Sequence, residues 1–246
     1  MSVKTNSCLV AKLGHFIDLH ETDAALLAHF EAQQQDYKKR DIVRRENDPI
    51  ENLFVVKSGW FYGYTMLPSG KRQVHRLFFA GDLIGTHEVV CEKATYDIAA
   101  ASSGTLCPFA KNGLTTVFTN SPRLTALLYS IEALEQVAQD DRLRAIARMD
   151  AVGRLAHLFL QIFARHRITH SDFGPTMKLE MSQELIGDTV GLTGIHVNRT
   201  LKQMGEEGMI RMEGSHLTLL DKPAMERLCS FDDRHYKIDT SWFPAK

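Results

Sequence analysis

Met181–Ile210, MSQELIGDTVGLTGIHVNRTLKQMGEEGMI, decides the reading of this chain. Ser182 is a residue type that caps a helix, because its hydroxyl accepts from the amides exposed at a helix start. Leu185, Ile186 and Val190 then give the following residues one apolar face, and Gly191 ends the run. Gly191-Leu192-Thr193 is a connection in which glycine can adopt positive φ and threonine can cap a second helix. Two short helices folded sharply against each other are therefore expected, a helix-turn-helix.

The second helix divides into two faces. Val197, Leu201 and Met204 recur at i, i+4 and i+7, the spacing of a buried stripe. Ile195, Asn198, Arg199 and Lys202 fall on the opposite side, with side chains suited to base edges and phosphates. Gly187 is small where the two helices must cross. Candidate DNA contacts are Ser182, Gln183, Thr193, Ile195, His196, Asn198, Arg199 and Lys202. An ordinary helix pair with a solvated polar face is the plainer alternative.

The run Gly191-Leu192-Thr193-Gly194-Ile195-His196-Val197-Asn198-Arg199-Thr200-Leu201, followed by Gly208-Met209-Ile210, resembles the turn and recognition helix of the Crp/Fnr family of bacterial transcription regulators. The resemblance extends in weaker form over most of the chain. It implies an amino-terminal effector-binding β-roll, a homodimer, double-stranded DNA as ligand and RNA polymerase as partner. It also implies that Arg199 reads guanine. Well-known members carry at the position of Ile195 a glutamate that accepts from cytosine, and isoleucine cannot accept.

At 246 residues the chain has room for two compact domains, and its apolar and charged fractions are those of ordinary soluble protein. The formal charge is −1, and residues 150–246 hold 12 Lys/Arg against 13 Asp/Glu, so no global basic field draws in nucleic acid. Phosphate affinity must come from local placement of Arg199, Lys202, Arg211 and helix amino termini. Cys8, Cys91, Cys107 and Cys229 form no CxxC pair, which argues for reduced thiols and against a zinc knuckle or disulfide framework. MSVKTNSCLVAKLGHF lacks a signal-peptide core and no later run reaches membrane-span length, so a cytoplasmic protein without membrane contact is expected.

Thr22 to Gln35 reads as a short amphipathic helix capped by Thr22. From Tyr37 to about Ala110, short apolar runs such as LFVVKSGWFYGYTML and RQVHRLFF are broken by Pro68-Ser69-Gly70-Lys71 and Ala80-Gly81-Asp82. Strands joined by tight turns follow, in an antiparallel β-roll or small barrel. Ser121 to about Arg148 reads as a long helix with proline in its first turn. Its three-four stripe of Leu124, Leu127, Ile131, Leu134, Ala138 and Ala145 resembles a coiled-coil seam, and Leu124, Leu127, Ile131, Leu134 and Ala138 are the candidate dimer contacts. A helix buried within its own domain would show the same stripe. Asp150 to Arg167 gives a further helix, the loop THSDFGPT follows, and residues around Glu213-Gly214-Ser215 form the hairpin of a wing. Pro223 to Leu228 is a short helix, and the tail with Tyr236 and Trp242 carries no readable role. The expected class is α+β, with a β-roll domain (residues 1–120), a dimerisation helix (121–148) and a winged-helix DNA-binding domain (149–246).

Catalytic arrangements are lacking. His87-Glu88-Val89-Val90-Cys91 has cysteine where a zinc protease needs its second histidine, and neither a phosphate-binding loop nor a GxSxG elbow occurs. Candidate effector-pocket residues are His75, Gly81, Asp82, Gly85, His87 and Glu88. Cyclic-nucleotide-binding members of the family place a carboxylate and then Arg-Ser or Arg-Thr after the Gly-Asp turn. GTHEVVCEKATYDIAA supplies Glu88 but only Lys93 as a base, and an ammonium does not reproduce the arginine fork, so cyclic AMP is not expected. The iron–sulfur branch groups cysteines near the amino terminus, where Cys8 stands alone. Haem stays open through His75, His87, Cys91 and Cys107-Pro108. The alternative to a regulator is a cupin-like metal- or haem-binding protein whose helical half mediates protein contacts. Signal, target genes and the sense of regulation are not encoded legibly.

Overall fold

A computed structural model describes residues 7–169 and 174–245. The first six residues, Lys246 and the middle of the loop expected over 169–176 lie outside the described residues. Two compact units divide the chain, one of residues 7–65, 76–135 and 237–245, the other of 66–75, 136–169 and 174–236 among those described.

The first unit is built on two four-stranded antiparallel sheets. β1 (Gln35–Tyr37), β8 (Gly104–Ala110), β3 (Asn52–Ser58) and β6 (Leu83–Ile84) make one, in the order β1-β8-β3-β6. β2 (Ile42–Arg44), β7 (Asp97–Ala100), β4 (Phe61–Met66) and β5 (Arg72–Phe78) make the other, in the order β2-β7-β4-β5. Strand side chains alternate between faces. Phe54 and Val56 of β3 therefore join Phe61, Phe78, Ile84, Ile98 and Leu106 in one core, while Leu53 and Val55 join Cys107 and Phe109 in a second core with helical partners. Burial on both faces is why β3 reads as an unbroken apolar run rather than an alternating one.

The helical partners are α1 (Cys8–Leu13), α2 (Glu21–His29), α3 (Gly113–Asn120) and the first half of α4 (Pro122–Arg148). α1 and α3 carry no sequence signal long enough to have been expected. α2 is shorter than expected and is capped by His20, whose ring accepts from the Thr22 amide while Asp23 reaches back to the His20 amide. Chain beyond Phe30 is taken by pairing of Gln35–Tyr37 with β8, so tertiary pairing overrides the helical pattern there. The tail also belongs to this unit: Phe243 is buried in the helical core, Trp242 meets Tyr129 edge to face at 6.4 Å, and Arg123 donates to the Pro244 carbonyl at 3.2 Å. Burial of one phenylalanine side chain stabilises by about 1.5–3 kcal/mol.

The second unit holds the rest of α4, α5 (Ala151–Thr169), α6 (Gln183–Val190), α7 (Gly194–Glu206) and α8 (Lys222–Cys229). β9 (Thr176–Lys178), β10 (Ile210–Glu213) and β11 (His216–Leu219) form its three-stranded sheet in the order β10-β11-β9, which makes the wing. Its boundaries depart from the expected ones. The division falls inside α4, and Met66–His75, the tip of the β4–β5 hairpin, groups with the helices, because Arg142 of α4 donates to the Val74 and His75 carbonyls.

The expected dimer stripe is largely consumed within the protomer. Leu124 and Leu127 are 0% exposed, Ile131 packs on the same core, and Ala138 is buried. Leu134 is half-buried. The α4 face left exposed carries Tyr129, Ala133, Gln136, Asp140, Leu143 and Ala147, spaced alternately by four and three. Polar Gln136 and Asp140 hide this second seam from a search for apolar residues.

Candidate nucleic-acid interface

α6 and α7 meet as two capped helices. The Ser182 hydroxyl accepts from the Leu185 amide at 3.2 Å and the Thr193 hydroxyl from the His196 amide at 3.2 Å. Gly191 sits at φ +71°, the left-handed conformation that lets the chain leave α6 and turn. A Cβ on Gly187 would come within 2.4 Å of the Leu192 carbonyl oxygen, so only glycine permits this crossing. Val197, Thr200, Leu201 and Met204 are the buried face of α7.

Every candidate DNA contact lies on the surface: Ser182, Gln183, Thr193, Ile195, His196, Asn198, Arg199 and Lys202 are all exposed. Ile195 is 78% exposed and takes no part in the core. Asn198 donates from Nδ2 to Oε1 of Gln183 at 3.2 Å, a link between the helices that spacing alone does not reveal. That bond uses one Asn198 donor and the Gln183 oxygen, and both exposed amides keep further hydrogen-bonding capacity. Arg211 pairs with Glu213 on the wing at 3.3 Å, an exposed pair of little energetic weight.

The candidate effector residues are not gathered into one pocket. His75 lies in the hairpin of the other unit. Asp82 holds the turn itself, accepting from the Phe79 amide at 2.7 Å and pairing with Lys12. Gly85, His87 and Glu88 do cluster, in the one-turn 3-10 helix Thr86–Glu88 and the glycine before it. Glu88 is buried and engaged: it pairs with Arg44 and accepts from the Thr95 amide at 2.6 Å and hydroxyl at 2.7 Å. The His87 ring stacks on Tyr96 and meets its hydroxyl at 2.8 Å, and burial pushes its pKa down to about 4, so it is neutral. Burial likewise raises the Glu132 carboxyl, which accepts from Thr86.

The residues expected to meet a cyclic nucleotide are engaged within the protein or absent from the segment. The carboxylate is committed to Arg44 and Thr95, no arginine lies between Gly85 and Tyr96, and Lys93 is exposed. Two of the expected haem-ligand candidates, Cys107 and His87, pack in different cores. Cys107 is buried in the helical-side core with its thiol pushed up to about 11 by burial, whereas His87 packs on Tyr96 of the inter-sheet core. Cys8 donates to the Lys57 carbonyl at 3.1 Å, and its thiol is also raised by burial. Among the described residues no helix is long and apolar enough to cross a membrane.

Comparison with known proteins gives two family matches: a cyclic nucleotide-binding domain over residues 34–121 and a Crp-like helix-turn-helix domain over 153–228. Similar proteins include the Fumarate and nitrate reduction regulatory protein of Escherichia coli K12, 22% identical over 92% of this chain and 90% of that protein. Regulatory protein HlyX of Actinobacillus pleuropneumoniae is 21% identical over 89% of this chain and 90% of that protein. Among solved structures, FixK2 of Bradyrhizobium japonicum covers 80% of this chain and 96% of its own at 23% identity, with a TM-score of 0.70. CooA of Carboxydothermus hydrogenoformans covers 93% and 98% at 20% identity, with a TM-score of 0.65. The cupin-like alternative finds no support in these likenesses. With a cyclic-nucleotide-type roll, a long helix and an outward-facing reading helix on the same chain, the protein belongs to the Crp/Fnr family and is a DNA-binding transcription regulator, not an enzyme.

Proposed function

We propose that the protein is a homodimer that reads a roughly palindromic site through α7 of each protomer in the major groove. The observation that carries this reading is the exposed stripe Ile195, Asn198, Arg199 and Lys202 on a helix whose opposite side is fully packed. Arg199 takes O6 and N7 of guanine, Ile195 packs on a thymine methyl, and Lys202 contacts phosphate. The second copy meets the outward face of α4, where Tyr129 and Leu143 are 68% and 67% exposed at positions of a four-three repeat. This replaces the seam through Leu124 and Leu127, which the protomer's own core uses. RNA polymerase is the implied partner and the cytoplasm the place of action. The effector is some signal other than cyclic AMP, a reading supported by the Arg44–Glu88 pair.

Selection of duplexes from a random pool tests the reading helix: wild type should return a two-fold symmetric motif with a G·C pair in each half. Ile195→Glu should move one symmetric position towards cytosine. An identical motif from both proteins would remove Ile195 from the base-reading face. Sedimentation tests the dimer. Leu143→Glu should give monomer with the fold intact, and a dimer that persists would place the contact elsewhere.

A further inference from the structure

α6 meets the proposed base-reading stripe at the Gln183–Asn198 bond, and it sets where α7 lies through the Gly187–Leu192 approach. The last carbonyls of a helix lack intrahelical donors and need partners from elsewhere. For α6 two arginines supply them. Arg142 of α4 donates to the Thr189 carbonyl at 2.8 Å, and Arg154 of α5 donates to the Val190 carbonyl at 3.3 Å. Positive charge at a helix carboxyl end is favourable by itself. The Arg142 guanidinium does more, because the same group also donates to the Val74 and His75 carbonyls of β5, the edge strand of its sheet. Gln139 adds a bond to the His75 carbonyl at 3.2 Å. Two residues before Val74 on the same strand, Arg72 grips Asp188 of α6 from Nε at 2.7 Å and from its terminal nitrogen at 2.6 Å. Both side chains are about three-quarters covered, so this pair is more than a solvated surface contact.

We infer that Arg142 and the Arg72–Asp188 pair are positioning residues for DNA reading: together they fasten the carboxyl end of α6, and through it α7, to the β4–β5 hairpin. The hairpin tip, Met66–His75, groups with the helices of this unit, so these contacts all lie within one compact body. A planar arginine with several fixed donors can bridge carbonyls on two chain segments, and lysine cannot reproduce this geometry. The inference rests on α7 as the reading helix.

The test uses full-length Arg72→Asp, Asp188→Arg, the double exchange and Arg142→Lys. Hydrogen exchange over residues 183–192 is measured without DNA. Discrimination is measured between a duplex selected by wild type and an unrelated duplex of equal length. Each single variant should exchange faster in α6 and lose about tenfold in discrimination, with the double exchange recovering most of both. Arg142→Lys should behave like the single variants although its charge is kept. Unchanged exchange and discrimination in the singles would overturn the inference, as would a double exchange no better than either single. If Arg142→Lys fails to fold, the partly exposed Arg72–Asp188 pair still decides the matter. A wild type that selects no duplex would refute the reading of α7, while the exchange data would still judge the fastening of α6.

Discussion

Polar side chains are used in opposite ways in the roll and on α7. In the roll they turn inward and pair with one another: Arg44 with Glu88, Lys12 with Asp82, and Glu31 with Lys57, Ser7 and the Leu9 amide. On α7 they turn outward, while that helix keeps a buried face of Val197, Thr200, Leu201 and Met204 that needs nothing from them. A group already committed to a buried partner is a structural element, because extracting it leaves an unpaired charge. A group on an exposed helix face costs little to commit to a ligand. In the roll the Glu88 carboxylate is part of the core, whereas the polar side chains of the α7 stripe stay exposed.

Removing Glu88 should break that contrast most severely. Glu88→Ala leaves Arg44 buried at 6% side-chain exposure, with Nε and Nη1 already lacking hydrogen-bond partners, and should destabilise the fold by about 3–5 kcal/mol. Urea denaturation measures it, and a loss under about 1 kcal/mol would mean that water reaches the pair.

Buried histidine offers a comparison across the two units. His157 of α5 packs on Phe231, and burial pushes its pKa down to about 4, as for His87 in the roll. A histidine whose folded pKa is depressed binds fewer protons folded than unfolded. Its stabilisation is whole above the unfolded value near 6.5 and is lost as pH falls towards 4, by about 3 kcal/mol. His157→Leu should flatten the fall in stability between about pH 7 and pH 5, with His87 retaining its own share. An unchanged slope would show that His157 is protonated without opening the unit.

The reader should respond in affinity rather than stability. Arg199→Ala should weaken binding by about 1–3 kcal/mol per half-site and relax preference at one pair, while Lys202→Ala weakens all sequences alike and flattens the salt dependence. Neither should move the unfolding free energy by more than about 0.5 kcal/mol, since both side chains are exposed. Larger destabilisation would return α7 to an ordinary packed helix. The smallest expected effect is none: titration calorimetry with cyclic AMP should give no saturable heat, and micromolar binding that tightens DNA affinity would show that Arg44 releases Glu88.

What the sequence by itself determined was local. Ser182 and Thr193 are caps, Gly191 is a turn, and the stripes of α7 divide as their spacing requires, because caps, positive φ and a 3.6-residue period act within a few residues. The unbroken run in β3 and the Gly214 hairpin were legible for the same reason. Tertiary structure alone decided what each apolar face meets. The stripe of Leu124, Leu127 and Ile131 announces burial without naming the partner, and here the partner is the protomer's own core, which leaves Tyr129 and Leu143 outside. Likewise nothing near Phe243 in sequence shows that the tail returns to the roll, and nothing near Arg142 shows that it joins a hairpin to α6. Those contacts span distant segments, and their free energy belongs to pairs of surfaces that no short window of sequence contains.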